Sequence, residues 1–221
     1  MPVERGVGVA RAPDALVFDL DGTLWDTCAT CAVAWNRVLA LLGIPFRQIT
    51  AADVRGVAGR PHAEGIAHVF AGRSADEVAA IAAATADEDN REITARGGVL
   101  YPGVAELVPR LAARLPLAIV SNCQQGYVEI FLASSGLGSS FRDFECWGNT
   151  GASKTDNVRA LVRRNGFTRP WLVGDTDGDQ QAASEAGLHF VHARYGFGRV
   201  AAPDAAIERF ADLGPLLGIP P

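Results

Sequence analysis

Two aspartates, Asp19 and Asp21, end an apolar run, Ala15-Leu16-Val17-Phe18, and are followed by a turn glycine and a hydroxyl, Gly22-Thr23. Such a run reads as a buried strand, and carboxylates at its end need a cation or hydrogen-bond donors to offset their desolvation. A hard ion such as Mg²⁺ meets that need, because carboxylate oxygens are its ligands. Residues two apart on an extended strand share a side, so Asp19 and Asp21 face one site and Leu20 points away. The same device recurs where Trp171-Leu172-Val173 runs into Gly174-Asp175-Thr176-Asp177-Gly178-Asp179. Ser121-Asn122 follows a third apolar run and Lys154 follows a fourth. With Mg²⁺ between Asp19 and Asp175, and Ser121 and Lys154 as donors opposite, phosphoryl transfer is the chemistry these residues suit. Asp19 would attack to form an aspartyl-phosphate, and Lys154 and the metal would keep it ionised. Asp21 would protonate the leaving alcohol and then deprotonate the attacking water. Ser121, Thr23 and the backbone N–H groups near Leu20 and Asn122 would hold the phosphoryl oxygens. Asp179 would ligate the metal through water or orient Lys154.

Those residues need a scaffold that gathers strand ends. After Gly97-Gly98 the pattern alternates: helix 104–114, strand 117–120, helix 127–135, strand 144–147, helix 153–165, strand 171–173, helix 180–186 and strand 190–192. Strands separated by helices of this length predict an α/β fold with a doubly wound parallel sheet, whose ligands bind beyond the carboxyl ends of its strands. Between residues 26 and 97 the pattern is helical throughout, with helices at 26–42, 50–57, 61–70 and 74–96. Asp26 or Thr27 would cap the first, and Ser74 with Glu77 would form a capping box on the last. The expected organisation is an α/β core over 14–25 and 98–221 with an all-helical cap inserted at 26–97. Residues 1–13, rich in Gly, Pro and Val, read as a loose lead-in.

With 221 residues, 48 % hydrophobic and 20 % charged, the chain has the make-up of a soluble globular protein. No apolar stretch approaches the roughly 20 residues that cross a bilayer, and the N-terminus lacks a signal-type apolar region. A cytoplasmic location is expected. A net charge of −5 argues against nucleic-acid or anionic-membrane partners, so an anionic substrate must be attracted locally. The expected partner is a small phosphorylated metabolite, and the expected state a monomer or homodimer.

Asp19-Leu20-Asp21-Gly22-Thr23, Ser121, Lys154 and Gly174-Asp175-x-x-x-Asp179, in that order, resemble the four motifs of the haloacid dehalogenase-like (HAD) hydrolases. The resemblance spans nearly the whole chain. The helical insertion and Tyr195-Gly196-Phe197-Gly198 resemble the small-capped, phosphoglycolate-phosphatase-like branch, and the short span from Ser121 to Lys154 leaves no room for the larger cap. The resemblance implies a Rossmann-like core, Mg²⁺, and Asp19, Asp21 and Asp175 at the metal, with Asp21 reaching it through its backbone carbonyl. Members that dehalogenate 2-haloacids lack the second aspartate, so Asp21 points to phosphate esters. Lys154 is followed by Thr155 where many relatives have proline. A phosphomutase shares all four motifs and stands as the alternative.

Rival readings use other residues. Gly148-Asn149-Thr150-Gly151-Ala152-Ser153-Lys154-Thr155 matches a P-loop except for Ser153 in place of its second glycine, and that reading of Gly148–Thr155 leaves Asp19 and Asp21 unused. A non-catalytic phosphate-binding protein on the same fold is a third class. The run from Asp175 to Asp179 lacks the turn glycine and bidentate glutamate of an EF-hand loop. Gly196-x-Gly198-x-x-Ala201 meets Pro203 too soon for a dinucleotide fingerprint. Cys28 and Cys31 read as two small buried side chains. A redox role would rest on Cys28 in a first helical turn, where the dipole lowers a thiol's pKa. Arg60, in Gly59-Arg60-Pro61 between cap helices, either clamps a substrate carboxylate or second phosphate or is an ordinary solvated arginine. Trp25 reads as packing beneath the cap.

Overall fold

The computed structural model describes residues 12–219, so the expected lead-in lies, except for Ala12 and Pro13, outside the described residues. Along the chain, β1 (Leu16–Phe18) and β2 (Trp25–Asp26) precede four helices: α1 (Cys28–Leu41), α2 (Ala51–Arg55), α3 (His62–Val69) and α4 (Ala75–Arg96). Next come β3 (Val99–Leu100), α5 (Val104–Ala112), β4 (Leu117–Ser121), α6 (Tyr127–Ser134), β5 (Asp143–Cys146), α7 (Trp147–Thr150) and α8 (Lys154–Asn165). The chain ends through β6 (Trp171–Gly174), α9 (Asp177–Ala186), β7 (His189–Ala193), β8 (Ala205–Ile207) and α10 (Leu213–Leu216). No described helix is long and apolar enough to cross a membrane.

Six strands form one sheet in the order β5-β4-β1-β6-β7-β8, all parallel, as the α/β pattern predicts. β1 is central, with Val17 beside Ala118 on one side and Leu172 on the other. Because side chains alternate across a pleated strand, its residues divide between two cores. Leu16 and Phe18 pack with Leu117, Ile119 and Val173 and with Leu107, Leu111 and Phe131 from α5 and α6. Val17 joins Ala118, Val120 and Leu172 against Val158 and Leu161 of α8 and Ala182 and Ala183 of α9. A strand covered on both faces has no polar side, which is why the sequence shows a continuous apolar run.

Several local features depart from the expectation, among them β8 and α7, which no sequence pattern marks. The two chain crossings between sheet and insertion pair with each other, as β2 and β3 form an antiparallel ribbon joining Trp25 to Leu100 and Asp26 to Val99. Two-residue strands leave no period to read. At the start of α1, Asp26 is the one of the two expected caps that serves, its Oδ1 accepting from Cys28 N at 2.8 Å, while Thr27 makes no capping side-chain bond. Helix α9 begins at Asp177, ahead of the expected Gln180, because Thr176 and Asp179 form a capping box there. The box expected on α4 forms as well: Ser74 Oγ accepts from Glu77 N at 3.3 Å and Ser74 N donates to Glu77 Oε2 at 3.2 Å.

Gly148 shows why the P-loop reading fails locally. It lies inside the short helix α7, and a Cβ there would stand 1.9 Å from the backbone N of Gln125. This glycine serves backbone packing beneath the loop after β4. Gly148→Ala is expected to cost about 1–3 kcal/mol through overpacking, read as a lower urea midpoint; an unchanged midpoint would contradict this close approach.

Candidate active site

Numbered by their own order in the chain, the sheet's strands run 3-2-1-4-5-6. The order reverses at β1, and a crevice opens beyond the carboxyl ends at such a reversal. Asp19 follows β1, Ser121 ends β4 and Asp175 follows β6, three strands that lie side by side. Lys154 opens α8, and Ser153 caps that helix by accepting from Asp156 N at 3.1 Å. Thr155, where proline was the resemblance's usual residue, sends its hydroxyl to Glu185 Oε2 at 2.9 Å.

Lys154 Nζ binds both Asp19 Oδ1 and Asp179 Oδ1 deep in the protein. Asp179 therefore orients Lys154, one of its two expected roles, and its other oxygen accepts from Asp175 N at 3.1 Å, Thr176 N at 2.9 Å and Thr176 Oγ1 at 2.7 Å. Burial works to lower the Lys154 pKa, but the charges of Asp179 and Asp19 outweigh it and hold the ammonium above the ordinary lysine value. Asp175 is fully buried, and its Oδ2 accepts from Phe197 N at 2.7 Å. Its Oδ1 accepts from Thr23 Oγ1 at 3.2 Å. Burial, then the charge of Asp179, pushes Asp175 up to about 7. The same two causes push Asp19 up, against the Lys154 ammonium. Gly22 is required here, since its φ is +87° and a Cβ would lie 2.3 Å from Asp175 Oδ2.

Carboxylate oxygens of Asp19, Asp175 and Asp179 lie within 4.8 Å of one another. Three buried carboxyl groups face one ammonium, so when all are ionised they carry two negative charges more than it offsets. An all-oxygen donor set with that deficit fits a hard divalent cation such as Mg²⁺. The Asp21 side chain is turned elsewhere. Its Oδ1 accepts from Tyr127 OH at 2.6 Å and Thr27 Oγ1 at 3.2 Å, and burial pushes its carboxyl up to about 6 against those donors.

Ser121 Oγ accepts from Cys123 N at 3.3 Å, which leaves its own proton to give. The backbone N–H groups of Leu20 and Asn122 find no acceptor among the described residues. Thr23 departs from expectation: its single hydroxyl proton goes to Asp175, so it steadies that carboxylate and has no proton left for a phosphoryl oxygen. The Asn122 side chain reaches the insertion, donating to Gly59 O at 2.8 Å. Asn90 Nδ2 donates to Gln125 O at 2.8 Å, and Arg55 pairs with Asp26 at 2.8 Å and lies over the Phe197 ring at 5.3 Å. These contacts join the insertion to the core beside the crevice, where an open cavity of ≈ 90 Å³ lies. Arg60 is exposed at its lining. Trp25 packs edge-on against Tyr127 and Phe131, beneath the insertion.

The rival readings of other residues fail, and Cys28 and Cys31 are the small buried side chains expected. All four cysteines are buried free thiols. Burial, then the Asp26 side chain, drives the Cys28 pKa up, the opposite of what a helix N-terminus alone would do. The Gly148–Thr155 segment does not form a phosphate loop either. Residues 147–150 are helical, and the Lys154 ammonium is committed to Asp19 and Asp179. Sequence reasoning missed Tyr127 and Thr27 as partners of Asp21, because the Tyr127 contact spans 106 positions and no local pattern marks it. It noted Tyr195–Gly198 without a role. Here Tyr195 OH donates to Thr23 O at 2.8 Å while the Phe197 amide holds Asp175.

The family profile described as haloacid dehalogenase-like hydrolase matches residues 16–193. The phosphoglycolate phosphatase of Pseudomonas putida is 30% identical over 197 residues, covering 84% of this chain and 71% of that protein. That of Rhodospirillum rubrum is 30% identical over 231 residues, covering 94% of this chain and 92% of its own. Among solved structures, a haloacid dehalogenase-like family protein from Streptococcus pneumoniae superposes with a TM-score of 0.80 at 22% identity, covering 91% of this chain and 96% of that one. CbbY from Rhodobacter sphaeroides, solved with phosphate, gives 0.75 at 24% identity, covering 94% and 100%. With its motifs at the carboxyl ends of a 3-2-1-4-5-6 parallel sheet and a family match over most of its length, the chain belongs to the haloacid dehalogenase-like hydrolases.

Proposed function

We propose that this hydrolase is a Mg²⁺-dependent phosphatase acting on a small phosphorylated metabolite through an aspartyl-phosphate on Asp19. The observation that carries the reading is the setting of Asp19: a buried carboxylate held by the Lys154 ammonium, with the Ser121 hydroxyl and the unpaired amides of Leu20 and Asn122 on nearby segments. A nucleophile set among donors of that kind matches what phosphoryl transfer needs, since the protein's contribution is positioning and charge stabilisation. Curated relatives named phosphoglycolate phosphatase support a small phosphate monoester as substrate.

Asp19 attacks the phosphorus in line, and the bond to the leaving oxygen breaks as the Asp21 carboxyl hands that oxygen its proton. Tyr127 and Thr27 hold Asp21 in position for this. The Ser121 hydroxyl and the two free amides bind the phosphoryl oxygens, and Lys154 offsets the charge between Asp19 and the incoming phosphate. Water then gives a proton to Asp21 and attacks the phosphorus, releasing inorganic phosphate and restoring Asp19. Asp19 and Asp175, with the Asp21 backbone carbonyl, would hold Mg²⁺, which supplies Lewis-acid neutralisation of the phosphoryl charge when bound. The helical insertion excludes bulk water and contacts the leaving group.

Release of inorganic phosphate from a generic aryl phosphate, with and without Mg²⁺, tests the mechanism. Asp19→Asn is expected to lower turnover at least about 10⁴-fold while leaving the circular dichroism spectrum intact. Undiminished turnover would sink the nucleophile assignment, and phosphate moved between positions of a bisphosphate without release would indicate a phosphomutase instead.

The metal assignment has its own readout. Mg²⁺ at about a hundredfold excess over its Kd should stabilise the wild-type protein by about 2.7 kcal/mol against unfolding. Asp175→Asn should lose most of that shift. A shift of equal size in the variant would remove Asp175 from the metal site.

A further inference from the structure

Cys123 and Cys146 come from separate segments and meet beside the phosphoryl pocket. β4 and β5 run parallel with Ser121 opposite Cys146, and the chain beyond them stays together. Gly148 N donates to Cys123 O at 2.9 Å, and Cys146 Sγ lies 3.9 Å from Gln124 O. The two thiols hydrogen-bond to each other, with Cys123 as the donor. That bond, then the amide of Asn149, holds the Cys146 thiol below its ordinary value against burial. Burial, then the same bond, pushes the Cys123 thiol up. The proton stays on Cys123 and thiolate character collects on Cys146, the division that a reactive thiol and its resolving partner need. Cys123 lines the cavity beside Asp19. Cys28 and Cys31 line it too, but burial drives both of those thiols up.

We propose that Cys123 and Cys146 are a redox modification site, which closes to a disulfide when hydrogen peroxide enters the cavity and so switches off the phosphoryl pocket beside it. The Cys146 thiolate attacks one peroxide oxygen, an S–O bond forms and the O–O bond breaks. The departing hydroxide takes up the proton that Cys146 gave, and Cys146 is left as a sulfenic acid. The Cys123 sulfur then attacks the Cys146 sulfur; the S–S bond forms, the S–O bond breaks, and hydroxide leaves with the Cys123 proton as water. Two thiols lose two electrons and one peroxide becomes two waters. An S–S bond of about 2.05 Å draws the sulfurs well inside hydrogen-bond distance. Cys146 ends a paired strand, so the movement falls on the loop after β4. There Cys123 N holds Ser121 Oγ at 3.3 Å, and Asn122 lies between them. The loss of turnover rests on the phosphatase reading, whereas the disulfide does not.

Treating the wild-type protein with hydrogen peroxide, alkylating the remaining thiols and mapping tryptic fragments by mass spectrometry reads the link directly. Arg142 separates the two cysteines, so Cys123 is carried on residues 115–142 and Cys146 on 143–154, whereas Cys28 and Cys31 share residues 12–37. A disulfide joining 115–142 to 143–154 is expected, with 12–37 fully alkylated. Aryl phosphate turnover should fall by about a hundredfold, the scale of a displaced binding loop, and return with dithiothreitol. Cys146→Ser should keep the basal turnover and lose both the link and the reversible fall. Sulfinic or sulfonic acids without the link, a disulfide within 12–37 in its place, or a link that leaves turnover unchanged overturns the site. If the variant does not fold, the wild-type map and its reversal still decide. A reduced protein with no turnover counts against the phosphatase reading alone. The map still judges the thiol pair, and calorimetric binding of inorganic phosphate before and after oxidation then replaces turnover: unchanged affinity overturns the switch.

Discussion

One ammonium group set among three buried carboxylates is the constraint on which the rest of the structure depends. Lys154 opens α8, which follows the edge strand β5, and its ammonium reaches Asp19 at the end of the central strand β1. Asp179 meets it from the first turn of α9, where its second oxygen also caps that helix. A single residue thus caps the start of one helix and orients the cation at the start of another, so helix placement and site electrostatics are set together. The parallel sheet makes this economical. Three adjacent strands end at one level, and each delivers a polar residue to the same crevice.

That convergence explains why so much was legible from residue order. A strand buried on both faces must be apolar to its last residue, so the aspartates ending β1 and β6 stand out against their runs. The reciprocal cap at Ser74 and Glu77 was equally visible, whereas that at Thr176 and Asp179 was hidden among the site's aspartates. What escaped shares a different property: it depends on contacts between distant segments or on elements too short to show a period. The β2–β3 ribbon has two residues per strand, and β8 has three, close to Pro203. Tyr127 and Asp89 gain their importance from neighbours far along the chain, Asp21 and Trp35. Thr23 was assigned by its type, but its hydroxyl follows the nearest strong acceptor, Asp175.

The cavity differs from end to end. Around Asp19 the donors dominate: Lys154, the Ser121 hydroxyl and the amides of Leu20 and Asn122. On the side of the insertion burial governs: it pushes the Asp89 carboxyl up to about 8 and lowers the His62 imidazole to about 4, so both groups are held neutral there. Charge is thus concentrated at the core end of the crevice, and the helices contribute uncharged groups.

The insertion also bears on Asp175 through a physical chain of contacts. Arg55 of α2 pairs with Asp26, whose second oxygen fixes the start of α1, and the same guanidinium lies over the Phe197 ring. The backbone N–H of Phe197 is the shorter of two amide bonds to Asp175 Oδ2, at 2.7 Å against 3.4 Å from Gly198. The position of α2 over the crevice is thereby tied to the hydrogen bond that fixes Asp175. A helix moved away from the core would give up the Asp26 pair and the ring contact together. Surface ion pairs of this exposure contribute little to stability, on the order of 0–1 kcal/mol. The value of Arg55 therefore lies in geometry: it links closure of the insertion to the orientation of a carboxylate that its own helix never touches.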